Sequence, residues 1–443
     1  MSKVDPANLW VIIPVGGEAK RMKPLTAETS KAVLRILNRP LVEYAMAELG
    51  LQGVKNFIFG IMGYYNYRGL FAYFEDGIGF SARYGISPRV HIKYQPHIDD
   101  VGSADSIRIN MEYYDINSHV MVVQGDNPFE MELSNLLTFH EEKNAVMTIV
   151  LTYVDDVERY GVANISSDNR IKGFVEKPKK EEAPSRLANT GMYVLSPKVR
   201  ELFNHPQVQR MIHENKRLDF GMDFIPFLVQ EGYPVYGYLL EGVWFDVGTP
   251  KSYLDTMIRI LKSGSNLSYV GEPLMFRRTS STSRKFFYYG EPPFIIPNVG
   301  NAWIQGQSSE SLWRKDQIIR KVREGKIKLE GSVLIGRHCQ IGEGTIIRDS
   351  CVDNFCIIGG NAIIERSAIL DRVLIGDGTT IQDSIIGRHV NVKSSKLQPT
   401  WILGVSVIGD DVVIGEGCVL TETKVYPHKV IPNGQRVGNQ IIE

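Results

Sequence analysis

Residues 9–40 read LWVIIPVGGEAKRMKPLTAETSKAVLRILNRP, and the rest of the chain is organised around them. The stretch opens on an apolar run, 9–15, of the kind that fills a central strand of a parallel sheet covered on both faces. Gly16 and Gly17 close that run. Glycines there permit positive φ and let a ligand approach the backbone closely. Free N–H groups at such a turn can cradle phosphate oxygens. Arg21, the turn Pro24-Leu25-Thr26 and Lys31 follow, so cations lie on the loop beyond the strand. These are the parts of a phosphate-handling site, although an ordinary strand-to-loop turn with surface cations has the same local sequence.

Outward from this stretch, strands and helices alternate to about residue 261. Strands are expected at 54–61, 90–94, 120–124 and 145–153, and helices at 41–51, 103–111 and 133–143. Such alternation predicts an α/β fold whose sheet is mostly parallel, with helices on both faces. Ligands of these sheets bind beyond the carboxyl ends of the strands. Gly16, Gly17 and Asp126 each follow an expected strand, so they can meet there.

Residues 264–325 break the pattern, being rich in Ser, Pro and aromatics. One helix is expected at 309–324, with Leu312, Ile318, Ile319 and Val322 as its apolar stripe. The cluster Arg277, Arg278, Arg284 and Lys285 reads as a solvated loop, with an anion site as the alternative. In the last hundred residues aliphatics recur every six positions. Ile335, Ile341 and Ile347 form one run; Ile358, Ile364 and Leu370 form another; Ile402, Ile408, Ile414 and Leu420 resume it after an interruption near 394–400. A six-residue period is neither helical nor a simple strand alternation. It predicts a hexapeptide β-solenoid whose aliphatics point inward.

Composition narrows the function classes. The chain has 443 residues, enough for two or three domains, and 43% of them are hydrophobic. Lys plus Arg and Asp plus Glu each number 50, so any anionic ligand is left to local cations and a whole-chain nucleic-acid footprint is not expected. The apolar runs fall short of the roughly 20 residues of a membrane helix. MSKVDPANLW lacks the apolar core of a signal peptide. A cytoplasmic protein is expected, with Cys339, Cys351, Cys356 and Cys418 as buried free thiols.

Several motifs, in one order, resemble those of the sugar-1-phosphate nucleotidylyltransferases (NDP-sugar pyrophosphorylases). The family's L-A-G-G-x-G-T-R-L-x-P-L-T is similar to residues 14–26, with Ala19 for the third glycine and Lys20 for the threonine; Ser30-Lys31 stands for P-K. Gln95, then Gly102-Ser103-Ala104-Asp105, resembles the segment that reads the base. Gln124-Gly125-Asp126-Asn127 resembles the strand end whose Asp binds Mg²⁺. Tyr160-Gly161-Val162, Glu176-Lys177-Pro178 and Asn189-Thr190-Gly191 resemble the sugar-phosphate pocket. Trp244-Phe245-Asp246 resembles the segment bearing the second metal-binding Asp. The resemblance spans residues 9–260.

The resemblance implies a Rossmann-like nucleotidyltransferase domain with a mostly parallel mixed sheet at 1–263 and a connector at 264–328. A left-handed parallel β-helix then follows at 329–443. It implies a nucleoside triphosphate and a sugar 1-phosphate as partners, with Mg²⁺ as cofactor on Asp126 and Asp246. Arg21, Lys31, Asp126, Lys177 and Asp246 are then the catalytic set. Gly16, Gly17, Gln95, Gly102 and Ser103 bind the nucleotide, and Gly161, Glu176, Lys177 and Asn189 bind the sugar phosphate. Each has a plainer reading: Asp126 can start a turn, and Asp246 can cap the helix beginning near Pro250. Residues 407–412 and 425–429 resemble the end of GDP-mannose pyrophosphorylases, as does Asn38-Arg39-Pro40 their N-K-P. The expected reaction is GTP plus mannose 1-phosphate, with a glucose-1-phosphate uridylyl- or thymidylyltransferase as rival. Two other classes stay open: a bifunctional acetyltransferase using His338, His389 or His428, and a non-catalytic regulatory subunit. The β-helix is expected to mediate homo-oligomer assembly.

Overall fold

The computed structural model describes residues 4–17, 19–97, 99–263, 294–296, 300–306 and 308–443. It divides into two compact units, Met1–Gly17 with Val42–Phe245, and Glu18–Leu41 with Asp246–Glu443.

The first unit is built on a nine-stranded sheet. Its strands are β1 (Trp10–Val15), β2 (Asn56–Met62), β3 (His91–His97), β4 (Val120–Val122), β5 (Met147–Tyr153), β6 (Gly161–Ile165), β7 (Ile171–Glu176), β8 (Leu187–Leu195) and β9 (Val235–Leu239). The spatial order is β7-β6-β8-β4-β1-β2-β3, with β5 pairing β8 and β9. β4, β1, β2 and β3 run parallel, so their carboxyl ends share one edge. β8 runs antiparallel to β4, β5 and β6, making the sheet mixed. The expected run 9–15 is β1, buried at Val11, Ile12 and Ile13 between two parallel partners. Helices Leu41–Leu51, Ser103–Tyr113 and Leu133–Glu142 lie where helical spacing predicts them.

The second unit is dominated by a left-handed parallel β-helix. Its strands form parallel ladders in which Ile347, Ile364 and Ile381 stack at intervals of 17 residues. The period of six holds along Ile402, Ile408, Ile414 and Leu420, all in the core, but is corrected between 347 and 375. Inward residues Ile347, Val352, Ile358, Ile364, Ile369 and Ile375 show that every third step is five, because a three-sided coil of 17 cannot divide evenly. Ile369, not Leu370, faces the core cluster. Left-handed residues turn the corners, His338, His389 and His428 among them. The four cysteines are free and buried, and Cys339, Cys356 and Cys418 donate S–H to carbonyls of the next coil at 3.0–3.1 Å.

Helix Ser309–Arg323 forms as expected, started by reciprocal capping between Ser308 and Ser311. Ile318 and Val322 are buried, but Leu312 is 42% exposed and leaves the expected stripe. Strand Gly300–Ile304 adds to the solenoid in parallel with Lys328–Ile335. The basic cluster at 277–285 lies outside the described residues. No helix among the described residues is long and apolar enough to cross a membrane.

His140 is buried in the first unit, with Nδ1 2.8 Å from Thr148 Oγ1 and no hydrogen-bond partner for Nε2 among the described residues. Burial pushes its pKa down to about 3, with His119 adding to the effect. The unfolded chain therefore takes this proton more readily than the folded one. The stability tied to neutral His140 is full above pH ~6.5 and declines as pH falls towards the folded value, by up to about 5 kcal/mol. Urea titrations from pH 7 to 4 check this: His140→Gln is expected to flatten the loss, and an equal loss in both proteins would exclude His140 as its source.

Candidate active site

The described structure relates the sequence-separated motifs of the first unit through strand register and through direct contacts. Gly16 and Gly17 are exposed at the carboxyl end of β1. A Cβ on Gly16 would sit 2.9 Å from Met62 Cβ, so only glycine lets the loop pass the end of β2. Pro14, Gly60 and Gln95 are in register across β1, β2 and β3, which puts Gln95 level with the entry to the glycine turn.

Gly102 has φ 149°, and a Cβ there would lie 2.5 Å from Leu218 O. Leu218 O accepts the N–H groups of Ala104 and Asp105. Gly102 thus lets the chain at 218 close against the start of helix Ser103–Tyr113. Ser103 Oγ donates to Asp219 Oδ2 at 2.6 Å and accepts from Phe220 N–H at 3.1 Å. Asp219 also accepts from Gly221 and Met222 N–H. Motif reasoning missed Asp219 and Gly221. Their only sequence signal was an N-cap Asp followed by a glycine in DFGMD, which resembles any short helix start.

Glu176 ends β7, packed between two glycines. Cβ atoms on Gly161 and Gly221 would lie 2.6 and 2.4 Å from its Oε2. Its Oε1 is 3.3 Å from Lys177 Nζ. Lys177 has left-handed φ 47°, its N–H donates to Tyr160 O, and its side chain is mostly exposed. Asn189 stands at a bulge of β8, where the register shifts before Tyr193. Asn189 Oδ1 accepts from Gly191 N–H and its Nδ2 donates to Tyr193 Oη, both within 2.9 Å. The buried Tyr193 hydroxyl is pushed well above the usual tyrosine pKa by desolvation, so it remains a neutral hydrogen-bonding group.

Asp126 lies in the turn after β4, and the plainer turn reading holds for its backbone. Next to it, Asn127 Oδ1 is buried with no hydrogen-bond partner among the described residues. The chain then pairs Phe129–Glu130 antiparallel with Val243–Trp244, and Phe245 N–H donates to Pro128 O at 2.9 Å. Tyr160 meets the Trp244 ring edge-on at 5.6 Å. The GDN, YGV, EKP and WF segments are thereby tied to one another.

Arg21, Lys31 and Asp246 belong to the second unit. Two of the three departures from the family pattern, Ala19 and Ser30, have local explanations there. Ala19 takes the left-handed conformation, φ 45°, that the usual glycine would adopt freely. Its carbonyl is fixed by Thr26 Oγ1 at 3.0 Å and by Met22 N–H. Arg21 sits exposed on the short turn Lys20–Met22. Ser30, in place of proline, accepts from Ala32 N–H and caps the turn Lys31–Val33. The suggestion that Asp246 caps the helix Pro250–Ser263 is corrected. Thr249 and Ser252 bond reciprocally at its start and leave Asp246 outside the cap.

No group of three or more His, Cys, Asp or Glu that would hold a metal by protein ligands alone occurs among the described residues. A hard cation held by one or two carboxylates and completed by substrate phosphates needs no such cluster. The orphaned Asn127 oxygen beside Asp126 matches that oxygen-only preference.

Residues 10–263 match the family model described as nucleotidyl transferase, and residues 329–442 match one described as the GMPPB C-terminal domain. The first covers more than half of the chain, which therefore belongs to the nucleotidyl transferase family and is a sugar-1-phosphate nucleotidyltransferase. A mannose-1-phosphate guanyltransferase of Pichia angusta is 28% identical over 425 residues, 95% of this chain and 96% of that one. A glucose-1-phosphate adenylyltransferase of Desulfitobacterium hafniense (strain DSM 10664 / DCB-2) is 23% identical over 430 residues, 92% and 95% of the two chains. A UTP–glucose-1-phosphate uridylyltransferase of Synechocystis sp. is 25% identical over 391 residues, 85% and 87%.

Gly221→Ala is expected to displace the Glu176 carboxylate, since the added methyl has no room beside Oε2. If Glu176 holds sugar hydroxyls, steady-state kinetics will show KM for the sugar phosphate rising about tenfold, the equivalent of one charge-assisted hydrogen bond. Ala19→Gly, which relaxes a left-handed alanine, is expected to leave kcat unchanged or raised; a fall in kcat would show that alanine tunes the loop.

Proposed function

We propose that this enzyme transfers GMP from GTP to mannose 1-phosphate, forming GDP-mannose and releasing pyrophosphate. The observation that carries this choice is the match of residues 329–442 to the GMPPB C-terminal domain. Among near-full-length relatives, the higher identity to a guanyltransferase than to an adenylyltransferase, 28% against 23%, supports it.

In this reaction an oxygen of the sugar 1-phosphate attacks the α-phosphorus, and the bond from that phosphorus to the pyrophosphate oxygen breaks. Charge grows on the transferring and leaving phosphates, so catalysis is chiefly positioning and electrostatic stabilisation. Arg21 holds the leaving pyrophosphate through its two-pronged guanidinium. Lys31 neutralises the α-phosphate, and Lys177 holds the attacking phosphate. Glu176 and Asn189, with Gly161 giving the ring room, orient the sugar. Gln95, Gly102 and Ser103 form the side that faces the base, and Gly16 and Gly17 offer N–H groups to the phosphates. Asp126 and Asp246 are the proposed ligands of Mg²⁺, which when bound screens phosphate charge and polarises the α-phosphorus. No protein nucleophile is required. The β-helix is proposed to mediate self-association of a cytoplasmic enzyme.

Pyrophosphate release from each nucleoside triphosphate, paired with mannose 1-phosphate or glucose 1-phosphate, tests the substrate assignment. GTP with mannose 1-phosphate is expected to give the highest kcat/KM. Absence of GDP-mannose would overturn the choice, and turnover of glucose 1-phosphate with UTP or dTTP would replace it. Asp126→Ala and Asp246→Ala are each expected to lower Mg²⁺-dependent kcat by about 10²-fold or more, the cost of removing one electrostatic element of such a site. Unchanged activity would refute the metal assignment.

A further inference from the structure

Residues 34–40 form a hairpin whose register pairs Arg35 with Pro40 and Ile36 with Arg39. The two residues between, Leu37 and Asn38, both have positive φ, 50° and 65°, as a tight two-residue turn demands. This tip is buried although it is a loop end: Leu37, Asn38 and Arg39 are all at most 3% exposed. What covers it is the outer wall of the β-helix, inside the second unit. Val352 points into the coil, so its neighbours Cys351 and Asp353 face outward. Asp353, although an outward-facing acid, is only 1% exposed.

The contacts are specific and polar. Arg35 Nε lies 2.9 Å from Asp353 Oδ2 without hydrogen-bond alignment, a charge pair rather than a directed bond. Arg35 Nη1 lies 4.0 Å from Asp371, and Arg35 Nη2 donates to Asn38 O at 2.9 Å. Cys351 S–H donates to Asn38 Oδ1 at 3.2 Å, and Asn38 Nδ2 donates to Gln305 Oε1 at 3.4 Å. The Tyr253 hydroxyl donates to Arg35 O. At the other end of the same segment, Glu28 meets His428 at a solenoid corner, 3.0 Å apart.

We propose that the outer wall of the β-helix positions the phosphate-handling segment 19–41, with Asp353 and Cys351 as positioning residues acting through Arg35 and Asn38. The proposal rests on the assignment of Arg21 and Lys31 to the triphosphate. It makes the solenoid part of the catalytic apparatus, because both cations are carried on a segment whose anchor is the coil.

The energetics of Asp353 favour position over stability. Burial pushes its carboxyl up to about 6, a desolvation that outweighs the pull of Arg35. Ionising a carboxylate whose pKa is raised by burial costs folding free energy, so the proposal assigns the Arg35–Asp353 pair to specifying one arrangement of the hairpin.

The test uses full-length Asp353→Asn and Cys351→Ala. In Asp353→Asn the thermal midpoint is expected to stay equal or rise, while amide exchange across 19–41 accelerates and that across 328–443 does not. Its kcat/KM for the nucleoside triphosphate is expected to fall by about 10- to 100-fold, the scale of a misplaced catalytic group, with KM for the sugar phosphate unchanged. Cys351→Ala, which removes the donor to Asn38 Oδ1, is expected to accelerate exchange across 19–41 as well, and unaltered exchange there would remove Cys351 from the proposal. Unaltered exchange across 19–41, or altered exchange with intact triphosphate kinetics, overturns the proposal. A lower thermal midpoint with proportionate loss of all activity also overturns it, leaving Asp353 a structural residue. If the unmodified protein turns over no nucleotide, the catalytic assignment of Arg21 and Lys31 fails, and the exchange data alone still decide whether the wall holds the segment.

Discussion

β1 is hydrogen-bonded on both sides by parallel strands, Trp10 standing between Asn56 and Val120 and Ile12 between Ile58 and Val122. Over Trp10–Ile12 a strand so placed has partners on both sides and no polar face. Its first opportunity to present N–H groups to a ligand is at its carboxyl end. The same applies to β2, β3 and β4, which run in the same direction. The glycine turn, Gln95 and the GDN turn therefore emerge along one edge, as parallel sheets require of their binding loops.

The antiparallel addition of β6, β7 and β8 supplies what that edge lacks. It carries Gly161, Glu176, Lys177 and Asn189, and it does so through unusually close packing. Glycines at 161, 191 and 221 remove Cβ atoms that would collide with Glu176 or Gln124. A carboxylate wedged in this way has little rotamer freedom left to lose when a substrate binds, so its orientation is set in advance. Ser103 and Asp219 extend the same logic to the start of the helix at 103, where one hydroxyl both donates and accepts.

The second unit couples a regular scaffold to an irregular segment. From Ile347 to Ile381 its coils stack isoleucines every 17 residues, leaving little freedom in that part of the wall. A hairpin bearing left-handed Leu37 and Asn38 is strained by itself. It persists because the wall buries it and matches its polar atoms. Arg21 and Lys31 inherit their placement from that match.

The sequence alone determined the class of fold and the identity of the chemical groups. Apolar runs alternating with helical spacing specify an α/β sheet, and aliphatics at near-constant intervals specify a solenoid, because both patterns are local consequences of backbone period. GG, GDN, EKP and WFD name the glycines, carboxylates and cations, which carry their chemistry wherever they fold. Tertiary structure decided what depends on distance. The five-residue step that makes Ile369 the inward residue follows from closing a three-sided coil. The parts played by Asp219 and Gly221 appear only when residues 103, 176 and 221 meet. The burial of Asp353 appears only when a hairpin more than three hundred residues earlier in the chain covers it. None of these leaves a local period or motif, since each is a close approach between segments whose sequences carry no record of one another.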